Sequence, residues 1–132
     1  MSLQNASILV GATVTASGGT AKTLTTDGKD IPNGLHLIDA SVADKRERPT
    51  VTVSSKFAKL LASGRFGKES RTLTAVFPYV DEDGLQQFPL WRIQQEVLPD
   101  MSAATTLEMK LQVCQMIMGD DFALFWSTGS LG

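Results

Sequence analysis

Two hydrophobic periods divide this chain. As far as Pro99, apolar and polar residues alternate in short runs punctuated by glycine, proline and aspartate, the two-residue period of half-buried strands. In residues 48–55 (RPTVTVSS), Val51 and Val53 point one way and Thr50, Thr52 and Ser54 the other. Residues 70–77 (SRTLTAVF) repeat the device, with Leu73, Ala75 and Phe77 opposite Thr72 and Thr74. Residues 91–98 set Trp91, Ile93 and Val97 against Arg92, Gln94 and Glu96. Leu35 to Asp39 is a further strand. Residues 6–13 and 20–26, joined by Ala16-Ser17-Gly18-Gly19, read as an N-terminal hairpin. Neighbouring strands with a threonine row behind an apolar row predict an antiparallel sheet with one core face and one polar face.

Beyond Pro99 the period changes to that of a helix. Thr105 to Met118 (TTLEMKLQVCQMIM) is opened by Thr105-Thr106-Leu107-Glu108, a capping-box pattern. Leu107, Leu111, Cys114 and Met118 form one apolar stripe, and Met109, Val113, Met116 and Ile117 a second. A helix resting on one sheet needs only one stripe, about 100° wide. The excess predicts a second copy of the chain as its cover, with Leu107, Leu111, Cys114, Ile117 and Met118 in the dimer interface. After Gly119, Asp120-Asp121 reads as the cap of a short second helix around Phe122 to Trp126. Two segments stay open: residues 57–62 as a helical turn or a loop, and Pro78 to Leu90 as an exposed acidic loop or a splayed hairpin. The fold class is α+β: an N-terminal β-hairpin, an antiparallel meander of about five strands and two C-terminal helices, in one domain spanning residues 1–132.

Composition changes this picture in one respect. Net charge over the 132 residues is −2, but it is unevenly placed. Residues 45–71 hold eight basic residues against Glu47 and Glu69, while the remainder has four basic against twelve acidic. One face can therefore be positive on a mildly acidic protein. No apolar run reaches the roughly 18 residues that span a bilayer, and the N-terminus lacks the basic region of a secretory signal, so a cytoplasmic origin and no membrane partner are expected.

Catalytic chemistry is hard to assemble from these residues. His36 is the sole histidine and reads as a structural strand residue; Cys114 is the sole cysteine and reads as a small apolar one. Together they make no ordinary zinc site. Gly64-Arg65-Phe66-Gly67-Lys68-Glu69 departs from a phosphate loop, with Glu69 where Ser or Thr is required. Asp81-Glu82-Asp83-Gly84 lacks EF-hand spacing. The expectation is no enzyme, no metal and no cofactor.

The order of elements, with Arg48 to Ser55, Arg71 to Pro78, Trp91-Arg92 and Leu98-Pro99 at their spacings, resembles the coat proteins of levivirus-type single-stranded RNA bacteriophages over the whole chain. That resemblance implies an interlocked homodimer with one continuous sheet, each subunit's helices covering the partner. It implies dimers that close an icosahedral shell, a chain resident in the virion and assembled in the bacterial cytoplasm. The loop from Pro78 to Leu90, with Tyr79, Asp81, Glu82, Asp83, Gly84 and Phe88, would then lie between dimers. The polar sheet face would bind viral RNA, including an operator hairpin whose capture represses translation, through Arg48, Thr50, Thr52, Ser54, Lys56, Thr72 and Thr74. Two alternatives come from the residues alone: a non-viral dimeric RNA-binding module using the basic segment, and a small α+β ligand-binding dimer.

Overall fold

The computed structural model describes residues 3, 5–13, 17–29 and 31–131. It divides into two compact units, Gly19–Pro99 and the pair of segments Met1–Gly18 with Asp100–Gly132.

The first unit is a five-stranded antiparallel sheet. Its strands are β1 (Thr25–Thr26), β2 (Gly34–Ile38), β3 (Thr50–Lys56), β4 (Glu69–Val76) and β7 (Leu90–Val97), in the order β1-β2-β3-β4-β7. The alternating runs fold as strands because β-branched and threonine side chains suit a pleated, half-buried surface. A two-stranded hairpin, β5 (Tyr79–Val80) with β6 (Gln86–Gln87), stands between β4 and β7. The proline-flanked segment is thus the splayed hairpin, closed below by Phe77 N–H donating to the Pro89 carbonyl at 2.8 Å.

Residues 57–68 form a loop rather than a helical turn. Leu60 pairs with Phe66, Leu61 N–H donates to the Arg65 carbonyl at 2.7 Å, and Gly67 N–H to that of Lys59 at 2.9 Å. Gly34 is fixed by crowding: a Cβ there would sit 2.5 Å from the Val53 carbonyl oxygen across the β2–β3 ladder.

The second unit holds α1 (Ala103–Met118), a 3-10 turn at Asp120–Phe122 and α2 (Ala123–Thr128). The N-cap of α1 is Ser102, whose Oγ accepts from Thr105 N–H at 3.2 Å, so the expected cap at Thr105 lies inside the helix. Ala103 and Ala104, strong helix formers, extend the helix back to the serine. The expected capping at Asp120-Asp121 is likewise absent from α2: those residues lie in the 3-10 turn, and Phe122 precedes α2 without a side-chain cap. Trp126 Nε1 donates to the Met116 carbonyl at 2.8 Å and ties α2 to α1.

The N-terminal hairpin is the main correction. Among the described residues, 6–13 contain no strand and 20–26 contribute only Thr25–Thr26; Ala16 of the expected turn lies outside the described residues. The segment pairs with side chains of α1 and the 3-10 turn instead. Ser7 N–H donates to Asp121 Oδ2 at 2.9 Å and Gly11 N–H to Glu108 Oε1 at 2.9 Å. Leu9 both donates to Gln115 Oε1 at 2.6 Å and accepts from Gln115 Nε2 at 2.8 Å. The Gln115 amide thus offers the donor and acceptor that a neighbouring strand would. Alternate backbone N–H groups meet Asp121 of the 3-10 turn and then Gln115 and Glu108, two turns apart on α1, so strand propensity is satisfied without a sheet.

Candidate nucleic-acid interface

Opposed residues in an antiparallel ladder share a face, so the register sorts the sheet residue by residue. Four rows make one face. Ile38, Thr50, Val76 and Leu90 align; then His36, Thr52, Thr74 and Arg92; then Gly34, Ser54, Thr72 and Gln94; last, Lys56, Ser70 and Glu96. Six of the seven residues expected on the RNA side (Thr50, Thr52, Ser54, Lys56, Thr72 and Thr74) therefore stand together. The hydroxyls of Thr50, Thr52, Ser54, Thr72 and Thr74 have no hydrogen-bond partner among the described residues, leaving both their donors and acceptors for a ligand.

Arg48 is the exception. It precedes β3, and its Nε and Nη2 donate to the Val42 carbonyl at 3.1 and 2.9 Å. The guanidinium closes the 42–48 loop instead of facing outward from the polar rows. In its place the register brings in Arg92 and Gln94, both exposed, together with Glu96. Their alternation with Trp91 and Ile93 was visible in sequence, but the pairing that aligns them with Thr72 and Thr74 was not.

Charge on this face is mixed. Lys56 and Arg92 supply cations, and Lys68 Nζ lies 3.7 Å from Glu96 Oε2. His36 Nδ1 lies 2.7 Å from Asp27 Oδ2, both side chains largely shielded. The Lys29 backbone N–H, and then the charge and hydrogen bond of His36, hold the Asp27 carboxyl below its usual range against a desolvation cost. At the exit of β2, Asp39 is 4% exposed and accepts from Ser41, whose hydroxyl bond is the main reason its carboxyl is also held low. Among the described residues no three metal-ligating side chains come together.

The opposite face is apolar and open. Leu37, Val51, Ala75 and Trp91 form one row and Leu35, Val53, Leu73 and Ile93 the next; Ser55, Arg71 and Gln95 close the end. Arg71 is held there by Gln95 Oε1 and Glu69 Oε2, each at 3.1 Å. Trp91 is 41% exposed, and Leu35, 56% exposed, and Ile93, 42% exposed, line a hollow of about 640 Å³ with Phe57. Among the described apolar residues only Ala75 and Val97 are buried.

On α1, the residues expected at a dimer interface divide by exposure. Leu111, Cys114 and Ile117 are half-buried, whereas Leu107 and Met118 are exposed, Met118 at 78%. No helix among the described residues is long and apolar enough to cross a membrane.

The turn between β5 and β6 is organised by one carboxylate. Asp81 Oδ1 accepts the N–H groups of Asp83 and Leu85 at 3.0 and 2.9 Å, and Oδ2 accepts Gln87 Nε2 at 3.0 Å. These bonds, that of Gln87 first, hold its carboxyl below the usual range. Glu82, Asp83 and Gly84 form the exposed tip, and Tyr79 and Phe88 are exposed on its arms.

No protein-family model and no curated protein matches the chain. Solved structures do. The virus-like particle of bacteriophage GQ-907 has a subunit 26% identical, matched over 99% of this chain and all of that one, at a TM-score of 0.91. The virus-like particle of bacteriophage AVE019 matches over 88% of this chain and 92% of that one at 8% identity, with a TM-score of 0.66. That of Beihai levi-like virus 21 matches over 86% and 97%, at 12% identity and a TM-score of 0.54. The last two speak for the fold alone. These structures are particle subunits, not enzymes. From the first strand row to the last helix, this chain is similar to the subunits of levi-like phage virus-like particles, the family its strand order and strings resemble.

Proposed function

We propose that the chain is the coat subunit of a single-stranded RNA phage. Two copies form an obligate dimer, dimers self-assemble into an icosahedral shell, and the polar sheet face binds the viral RNA, including an operator hairpin whose capture represses translation. The observation that carries this reading is the full-length likeness to the GQ-907 particle subunit.

Two physical features support the dimer. A soluble chain rarely leaves many large apolar side chains exposed, yet here they include Leu35, Trp91 and Ile93 on the sheet, and Leu107 and Met118 on α1. Covering a half-exposed leucine or isoleucine regains on the order of 1 kcal/mol, so several together outweigh the cost of association. The eight-residue strand β7 also stands at one end of the strand order among the described residues. Pairing it with the same strand of a second copy covers that end and makes one continuous sheet.

The RNA reading rests on the polar rows. Threonine and serine hydroxyls and the Gln94 amide can read base edges, while Lys56 and Arg92 neutralise phosphates and release counterions. Unpaired bases presented to such a surface are the usual means by which proteins read RNA sequence.

The test is expression of the chain alone in bacteria, then size exclusion with light scattering and the ratio of absorbance at 260 and 280 nm. A megadalton particle carrying nucleic acid is expected. A species near twice 14.2 kDa that carries none would refute the shell and the RNA together.

A further inference from the structure

We propose that the loop of residues 57–68 is a second RNA contact, a sequence-tolerant grip on single-stranded RNA apart from the hydroxyl rows; this rests on the reading of the polar face as the side turned to RNA. From Lys56 to Lys68 the chain carries Lys56, Lys59, Arg65 and Lys68 and no carboxylate, on a protein that is acidic elsewhere. Lys59 and Arg65 are exposed and neither pairs with a carboxylate among the described residues. They flank the Leu60–Phe66 pair, and the Phe66 side chain is 58% exposed. An exposed ring flanked by cations is the arrangement that holds single strands, the ring taking a base and the cations the adjoining phosphates.

Continuity decides the occupant. Lys56 ends the polar face as the partner of Ser70 in the last row, and the loop starts at the next residue. Lys68 returns beside Glu96 of that same row. RNA lying on the hydroxyl rows would therefore run off the sheet onto Lys56, Lys68 and then the loop. The competing occupant is another copy's acidic tip at residues 81–83, which would match the charge but offers no base for Phe66.

The experiment measures binding of an unstructured oligouridine, about twelve nucleotides long, to the full-length protein freed of nucleic acid, across a range of salt. Replacing Lys59→Gln and Arg65→Gln together should weaken binding about tenfold at low salt and reduce the log–log salt slope by about 1.4, some 0.7 for each lost cation. Phe66→Ala should cost roughly fivefold and leave the slope unchanged. Lys59→Arg with Arg65→Lys should bind as the unaltered chain does, which separates charge from a disturbed loop. Thr52→Ala with Thr74→Ala, carried alongside, reads the hydroxyl rows, and Lys110→Gln, at an exposed position of α1, should not alter oligouridine affinity.

Unchanged affinity and slope in the Lys59/Arg65 variant overturns the proposal. If that variant also leaves binding intact while the threonine variant loses the RNA packaged in particles, the polar face stands and the loop alone falls. A variant that binds oligouridine normally but no longer assembles assigns the loop to contact between copies and likewise overturns it. No binding of any RNA by the unaltered protein overturns both readings.

Discussion

Thr52 and Thr74 stand opposite each other on the polar face, and neither hydroxyl has a hydrogen-bond partner among the described residues. Replacing either with alanine removes no internal bond, so folding and particle formation should be unchanged. Affinity for the packaged RNA should fall by about 1 kcal/mol for each hydrogen bond lost, and unchanged affinity in a filter-binding titration would move the site elsewhere. The two arginines bracketing these rows should behave differently. Arg92→Gln should weaken RNA binding across sequences and lower the salt slope by about 0.7 to 0.9. Arg48→Gln should leave the slope alone and loosen the 42–48 loop, because its guanidinium already serves the Val42 carbonyl; a slope change as large as that of Arg92→Gln would contradict this. The threonine phase was legible because a two-residue period needs only one strand to be read. Arg92 and Gln94 were not placed because register belongs to a pair of strands, and no local signal fixes where β7 meets β4. Arg48 shared the threonine phase in sequence, but its long side chain found a carbonyl six residues back.

Elements were legible wherever a single period ran unopposed, as in β3, β4, β7 and the body of α1. They were misread where two local solutions compete. Residues 6–13 carry strand propensity, yet side chains of α1 and the 3-10 turn satisfy their backbone, a choice made by residues about a hundred positions away. Thr105 and Ser102 are both competent caps, and helix-forming alanines between them settle the matter. The β5–β6 hairpin depends on Asp81 in its ionised form, and its acid response follows from the sign of that shift. A carboxylate whose folded value lies below the unfolded one adds stability that is complete above the unfolded value, near pH 4, and is lost as pH falls through the folded one. The Asp83 and Leu85 amide resonances should therefore move at a pH below the ordinary aspartate midpoint, and Asp81→Asn should abolish that titration; a midpoint at or above the ordinary value would show that the turn does not hold the charge. Glu108, held low by the Gly11 N–H and then by Gln112, should release the N-terminal segment from α1 over the same acid range. Gly34→Ala tests the sheet itself: its Cβ meets a backbone carbonyl that cannot move without opening the β2–β3 ladder. A loss of about 1–3 kcal/mol in denaturant unfolding is expected.

At the scale of the whole molecule the deciding quantity is apolar surface. Typical globular chains bury leucine, isoleucine and phenylalanine side chains outright, whereas here the buried apolar residues among those described are Ala75 and Val97. The sequence signalled this through a helix apolar over two stripes, but it could not say that a sheet face would be open as well, since alternation reveals that a face is apolar and not what covers it. If a second copy is the cover, a charge placed on the half-buried side of α1 should act on association before anything else. Leu111→Asp or Ile117→Asp would strand a carboxylate in an apolar contact without a partner, a cost of several kcal/mol for each copy and enough to unmake the dimer and every assembly built from it. Lys110→Asp, on an exposed position of the same helix, changes the charge by two units and should leave particles intact, which separates interface burial from charge alone. Light scattering and far-ultraviolet circular dichroism distinguish the outcomes. Aggregated or unfolded Leu111→Asp and Ile117→Asp chains beside an assembling Lys110→Asp chain are expected of an obligate dimer. A soluble, folded monomer from either would mean that one chain suffices to satisfy its own apolar faces, and the interlocked arrangement would have to be abandoned.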